Sequence, residues 1–240
     1  AAREHQLSSV TKENYVVSDM TDDEIRAVYL GQLGRAKRPA SLIRDQLMSS
    51  GPYGLCCYCF QGQATTLDHF VPKEHVAALS IDPWNLVPAC HRCNHKLLSY
   101  MGVSSDDQFL HPYAIPQIGR WLRAVVVPGT PVSVQFSASP DPAIAASLGN
   151  RIVNQFARLE LGVLFSVVSG PDISEMDAVL SAQFAPGNGN LVRAHLLESA
   201  TGAFAADPNH RRGALFEALS ADAAYCAGGY LATAPLASLP

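Results

Sequence analysis

The hydrophobic pattern divides the chain into three stretches. Near the start, Ile25, Val28 and Tyr29 recur at helical spacing behind Thr21-Asp22-Asp23-Glu24. That tetrad has the capping-box arrangement, with acids in the turn where backbone N–H groups lack partners, and it predicts a helix to about Leu33. Pro39 followed by Leu42, Ile43 and Leu47 predicts a second helix, closed by Ser49-Ser50-Gly51-Pro52. The middle stretch changes period. ATTLDHFV (64–71) has the β-branched and aromatic content of a strand, Pro72 ends it, and Asp82-Pro83 marks a turn. NLVPA (85–89) is too short and too proline-interrupted for a helix, whereas CHRCNHKLLSY (90–100) carries no breaker. The expected order is knuckle, hairpin, loop, helix.

Beyond Tyr100 the pattern changes again. WLRAVVVPGTPVSVQFSAS (121–139) predicts two strands, 122–127 and 132–136, around a Pro-Gly-Thr-Pro turn. Asp141-Pro142 reads as a helix start, followed by an apolar helical pattern to about Val168. Ser174 opens a further expected helix, and segments from Leu191 and His210 look helical too. This half is rich in alanine and leucine and poor in groups suited to chemistry. The divisions expected are 1–52, an N-terminal helical segment; 53–104, a compact cysteine-bearing module; and 105–240, a mainly helical region with a β-hairpin near 121–137.

Composition narrows the class. The 240 residues are 48% hydrophobic and 16% charged, an ordered globular balance. Mean hydropathy is +0.08, and no apolar run approaches the ~20 residues that span a bilayer. The opening AAREHQLSSV lacks the basic-then-apolar order of a secretory signal, so the expected location is cytoplasmic, with no membrane partner. Net charge is −4, so a phosphate-bearing partner has to be met by a local patch. One candidate is GRAKRPASLIR (34–44), with Arg35, Lys37, Arg38 and Arg44 and no acid. A solvated helix end explains that run equally well.

The cysteines carry the sharpest signal. Five of the six lie between Cys56 and Cys93. Cys56-x-x-Cys59 and Cys90-x-x-Cys93 supply four thiolates, the number a closed tetrahedral zinc site takes. Cys57 competes with Cys56, but its one-residue spacing to Cys59 suits a shared ion less well. Between the pairs lie Asp68-His69 and Asn85, and Asn94 follows Cys93 directly.

CYC, LDHFVPK, NLVPAC and CNHK, in this order and with eight residues between Asn85 and Asn94, resemble the zinc-stapled branch of the HNH endonucleases. The resemblance covers roughly residues 55–100. It implies an α+β chain in which a small, zinc-bound ββα-metal (treble-clef) nuclease module sits in a mainly helical chain with one additional β-hairpin. It further implies that His69 is a general base, that Asp68 and Asn94 hold a catalytic Mg²⁺ or Mn²⁺, and that Asn85 braces the loop aiming the histidine. Structural Zn²⁺ would sit on Cys56, Cys59, Cys90 and Cys93. Asparagine stands where the family name has its last histidine, making this an H-N-N variant. The implied partner is nucleic acid, double-stranded DNA by family analogy, in a bacterial defence or toxin setting. A second copy or a companion protein would help an acidic chain dock its substrate.

Lys73, Arg92 and Lys96 surround the implied site and suit either phosphate contact or plain solubility. His95, one helical step from Asn94, is expected to turn about 100° away from it. His91 reads as a surface residue, His111 as a packing residue, and Trp84 as packing against the zinc module. The zinc deaminases have H-x-E and P-C-x-x-C; here an alanine separates Pro88 from Cys90, and no glutamate follows His69 at that spacing. A thiol–disulfide oxidoreductase lacks its usual βαβ context. The serious alternative is a non-catalytic zinc knuckle binding nucleic acid or a protein. Asp68-His69 is the feature that such a knuckle has no need of.

Overall fold

The computed structural model describes residues 15–33, 37–115 and 118–232, a mixed α+β chain with two small antiparallel sheets. It divides into two compact units that meet in sequence at 117/118.

In the first unit, α1 (Asp22–Val28) begins as its capping box predicts. Thr21 Oγ1 accepts from the Glu24 backbone N–H at 3.3 Å, and the Glu24 carboxylate accepts from the Thr21 N–H at 2.8 Å. The helix then widens into a π turn, Tyr29–Leu33. Next come α2 (Ser41–Ser49), β1 (Thr66–His69), β2 (Leu86–Ala89) and α3 (His91–Leu97). The strands pair antiparallel, Thr66 opposite Ala89 and His69 opposite Leu86. Pro88 is tolerated because it faces Leu67 in a two-stranded ribbon, and its carbonyl accepts from Cys57 N–H at 2.9 Å. Leu33, Leu67 and Leu86 form one core, with Tyr29, Ala40, Leu47 and Met48 packed around it. Burying each such leucine stabilises by about 1.5–3 kcal/mol. α2 contributes little beyond Leu47 and Met48: the expected partners Leu42 and Ile43 are 73% and 46% exposed. A second cluster, Val71, Val76 and Leu79, fills the loop joining the strands.

The second unit starts with the hairpin β3 (Leu122–Val127) and β4 (Ser133–Ala138), Leu122 opposite Ala138. Helices α4 (Ala146–Arg158), α5 (Leu161–Gln183), α6 (Gly189–Ala206), α7 (Arg211–Ala221) and the short α8 (Ala223–Cys226) follow. α5 packs on β4, α7 on β3, and α6 on α7.

Three expectations fail here. Asp141-Pro142 does not open a helix; Asp141 instead pairs with Arg123, and α4 starts at Ala146. The apolar pattern to Val168 is two helices bent by 64°, with Glu160 between them in the left-handed region at φ 49°. Edge-on contacts of Phe165 with Phe156 and Phe136 turn α5 back across the hairpin, and that aromatic burial overrides a straight helix. Ser174 opens nothing, because α5 runs through Pro171. Ser169 and Asp172, on either side of it, both bind Arg211 and tie this part of the helix to α7. No single helix among the described residues is long and apolar enough to cross a membrane.

Candidate functional site

The cysteine clip is built from two turns. Cys56 to Cys59 form a knuckle closed by Phe60, whose N–H donates to Cys56 O at 2.9 Å with φ at 53°, and by Cys56 N–H donating to Gly62 O at 2.8 Å. Cys90 caps α3, its sulfur accepting from Cys93 N–H at 3.4 Å. The Sγ atoms of Cys56, Cys59, Cys90 and Cys93 all lie within 4.8 Å of one another, and all four residues are buried. Zinc–sulfur bonds of about 2.3 Å place tetrahedral sulfurs about 3.8 Å apart, and Cys59 and Cys90 stand at 3.9 Å. The four thiols therefore fit a metal ion such as zinc. Their electrostatics fit as well: hydrogen bonding from Cys56 and Cys93 holds the Cys59 thiol low, and the same crowding pushes Cys93 up and Cys56 up to about 12. Four thiolates cannot share this pocket without a cation to balance them. Cys57 is excluded from the cluster; its sulfur is buried elsewhere, and burial raises its pKa.

Beside the clip opens a cleft of about 490 Å³. Asp68 and His69 come to it from β1, Lys73 and Glu74 from the loop beyond, and His91, Asn94 and His95 from α3. Asp68 is 3% exposed, and its Oδ2 accepts from the Tyr58 hydroxyl at 2.7 Å. Burial raises its carboxyl to about 6, against the lowering effect of Tyr58 and Lys73. His69 Nε2 lies 3.1 Å from Ser80 O. A carbonyl can only accept, so this bond assigns the proton to Nε2 and leaves the lone pair on Nδ1. Burial lowers the His69 pKa to about 4, so the ring is neutral near pH 7. The Tyr29 ring meets it edge-on at 4.4 Å.

Asn85 lies behind the cleft, 4% exposed. Its amide oxygen accepts from Val71 N–H at 2.7 Å, and its Nδ2 donates to Val71 O at 2.9 Å and Leu79 O at 3.0 Å. One side chain thus pins both ends of the loop that carries Ser80 to His69.

Of the predicted cations, Lys73 lines the cleft but pairs with Glu74 at 3.0 Å. Arg92 and Lys96 are half-buried on α3 and outside the cleft lining, while Lys37 and Arg38 are exposed beyond α1. Arg35 lies outside the described residues. His95 does not turn away: with His91 it shares the cleft wall, their rings parallel within 6° and 6.1 Å apart. Positions 91, 94 and 95 stand at i, i+3 and i+4 and form one helix face, a spacing already visible in the sequence. His111 packs as expected, buried between Phe70 and Tyr113. Trp84 does not pack into the module; it is 55% exposed, meeting Tyr113 edge-on. Tyr29 and Tyr58 carried no sequence signal beyond apolar spacing and a place inside the first cysteine pair.

The fold and site together define a mixed α+β chain with a buried four-thiol centre beside a polar cleft. The chain is similar to Protein ea31 of Escherichia phage lambda, 29% identical over 180 residues, which cover 72% of this chain and 59% of that protein. The chain thus spans less than two thirds of that relative's length. No protein-family model matches it. No solved structure matches it either.

Proposed function

We propose that the chain is a metal-dependent HNH-type endonuclease that hydrolyses phosphodiester bonds, with DNA the favoured substrate. The observation that carries this reading is the convergence of Asp68, His69 and Asn94 on one cleft beside a four-thiol site. In it, β1, β2 and α3 are the ββα module and the four cysteines hold structural zinc. His69 Nδ1 takes a proton from water as the water oxygen bonds to phosphorus and the P–O3′ bond breaks; the departing 3′ oxygen takes a proton from solvent, giving 5′-phosphate and 3′-hydroxyl ends. A neutral, desolvated imidazole held through its other nitrogen suits that role. Asn85 keeps the loop, and with it Ser80, in the position that orients the ring. Asp68 and Asn94 offer hard oxygen donors for Mg²⁺ or Mn²⁺, whose charge would stabilise the phosphate and leaving oxygens. Neither Asp68 nor His69 belongs to the four-thiol ligand set, and a merely structural knuckle has no use for His69 in particular.

A second reading, a non-cutting zinc module that binds nucleic acid or a protein, draws on one observation. Glu74 neutralises Lys73 at the cleft, leaving less free positive charge for phosphate. Incubation of supercoiled plasmid with the protein and Mg²⁺ or Mn²⁺ separates the two. The native chain should nick or linearise the plasmid, and His69→Ala should lower the rate by about 10²–10⁴-fold while remaining folded. Absence of cleavage of DNA and RNA with either ion rules out the nuclease reading in favour of the binding module.

A further inference from the structure

We infer that Tyr58, held inside the first cysteine pair, is a positioning residue that presets Asp68 as a divalent-metal ligand and so couples the thiol clip to the cleft. The inference rests on the proposed reading of Asp68 as a ligand.

Tyr58 lies between Cys57 and Cys59 and is 4% exposed. Its main chain has little freedom, since the knuckle closes through Cys56 N–H on Gly62 O and Phe60 N–H on Cys56 O. Its hydroxyl reaches Asp68 Oδ2 at 2.7 Å. Carboxylates accept and phenols donate, so the bond has one polarity. Tyr58 is absent from the cleft wall that Asp68 lines. Oδ2 is therefore held by the buried phenol while the Asp68 side chain lines the cleft. Magnesium-like ions demand near-ideal octahedral geometry, so a ligand oxygen fixed in advance binds them better than one free to rotate. Groups hydrogen-bonded behind a metal ligand typically change affinity by about 10–100-fold when removed. The chain of parts is short: four sulfurs set the knuckle, the knuckle sets Tyr58, and Tyr58 sets Asp68.

The test is a Mn²⁺ titration of the zinc-loaded full chain, followed by the EPR signal of free Mn²⁺ and compared with Tyr58→Phe, Asp68→Asn and Leu67→Ala. Leu67→Ala opens the core on the same strand without touching Asp68, and so controls for general loosening. Zinc content is measured on every sample. The native chain should bind Mn²⁺ at a site that Asp68→Asn abolishes. Tyr58→Phe should weaken that site by about 10–100-fold with zinc retained, and Leu67→Ala should leave it within about twofold. A native-like affinity in Tyr58→Phe overturns the inference and leaves Asp68 a ligand. Equal weakening in Leu67→Ala, or zinc loss in Tyr58→Phe, also overturns it by making the tyrosine a general structural element. If the native chain has no Asp68-dependent Mn²⁺ site, the ligand reading itself fails, and this inference with it.

Discussion

Gly62 shows how narrowly single residues control the thiol centre. A Cβ added there would sit 2.9 Å from Cys90 Cβ, closer than real Cβ contacts come, and a tight 3.2 Å from its sulfur. The neighbouring atom belongs to a buried N-cap side chain and has nowhere to retreat. Gly62→Ala should therefore destabilise the first unit by about 1–3 kcal/mol, as overpacking does, and weaken zinc retention against a chelating dye. Native-like zinc retention and melting would show that the clip tolerates this displacement. Asp68 and His69 stood out in the sequence because a titratable pair at the end of a strand-like segment, set between two cysteine pairs, has no packing purpose that the sequence shows. Tyr29 and Tyr58 did not stand out, since an aromatic at an apolar position reads as core until its hydroxyl or ring edge is seen to touch the pair.

At the scale of elements, Arg120 just before β3 and Glu217 on α7 join through two hydrogen bonds of 2.8 Å each. This partnership holds the Glu217 carboxyl below its usual range. A carboxyl whose folded pKa is depressed contributes stability above its unfolded pKa and loses it as pH falls through the folded value. Glu217→Gln should therefore lower the melting temperature of the second unit at pH 7 and have a smaller effect near pH 3. An equal loss at both pH values would show that the pair acts through packing alone. The pair is partly exposed, so added salt should also shrink the pH 7 effect. The β3–β4 hairpin and the helices starting near Thr21, Leu191 and His210 were near their sequence positions because caps, turns and periodicity are local, whereas the expected hairpin-then-loop order between the cysteine pairs was not, since β1 pairs with β2 across the loop. The break at Glu160 and the passage through Pro171 were not, because what decides them is distant: Phe136 for the first and Arg211 for the second.

For the whole molecule, two separate cores imply two thermal transitions. The first unit depends on the thiol centre, while the second, built on the β3–β4 hairpin and its helices, contains none of those sulfurs. Stripping zinc with a strong chelator should lower the first transition by many degrees and leave the second nearly unchanged, as followed by calorimetry. Cys90→Ser should do the same without chelator. A single transition that moves as one would mean that the two units unfold together.

Local chemistry determined the four-thiol donor set, a strand carrying Asp68-His69 and a helix over the second cysteine pair; the candidacy of Asp68, His69, Asn85 and Asn94 came from the resemblance of that stretch to a known family. The local readings rest on spacing within a turn, a strand or a helix face, and such spacings survive any arrangement of the rest. Only the tertiary structure decided that Cys57 is excluded, that His91 and His95 share the cleft wall, that Trp84 stays exposed, and that Lys73 is spent on Glu74. It alone placed Tyr58 behind Asp68 and Ser80 on the far nitrogen of His69. Those outcomes depend on which side chains meet after strands pair and loops close, and no local period encodes a hydrogen bond between a knuckle and a strand.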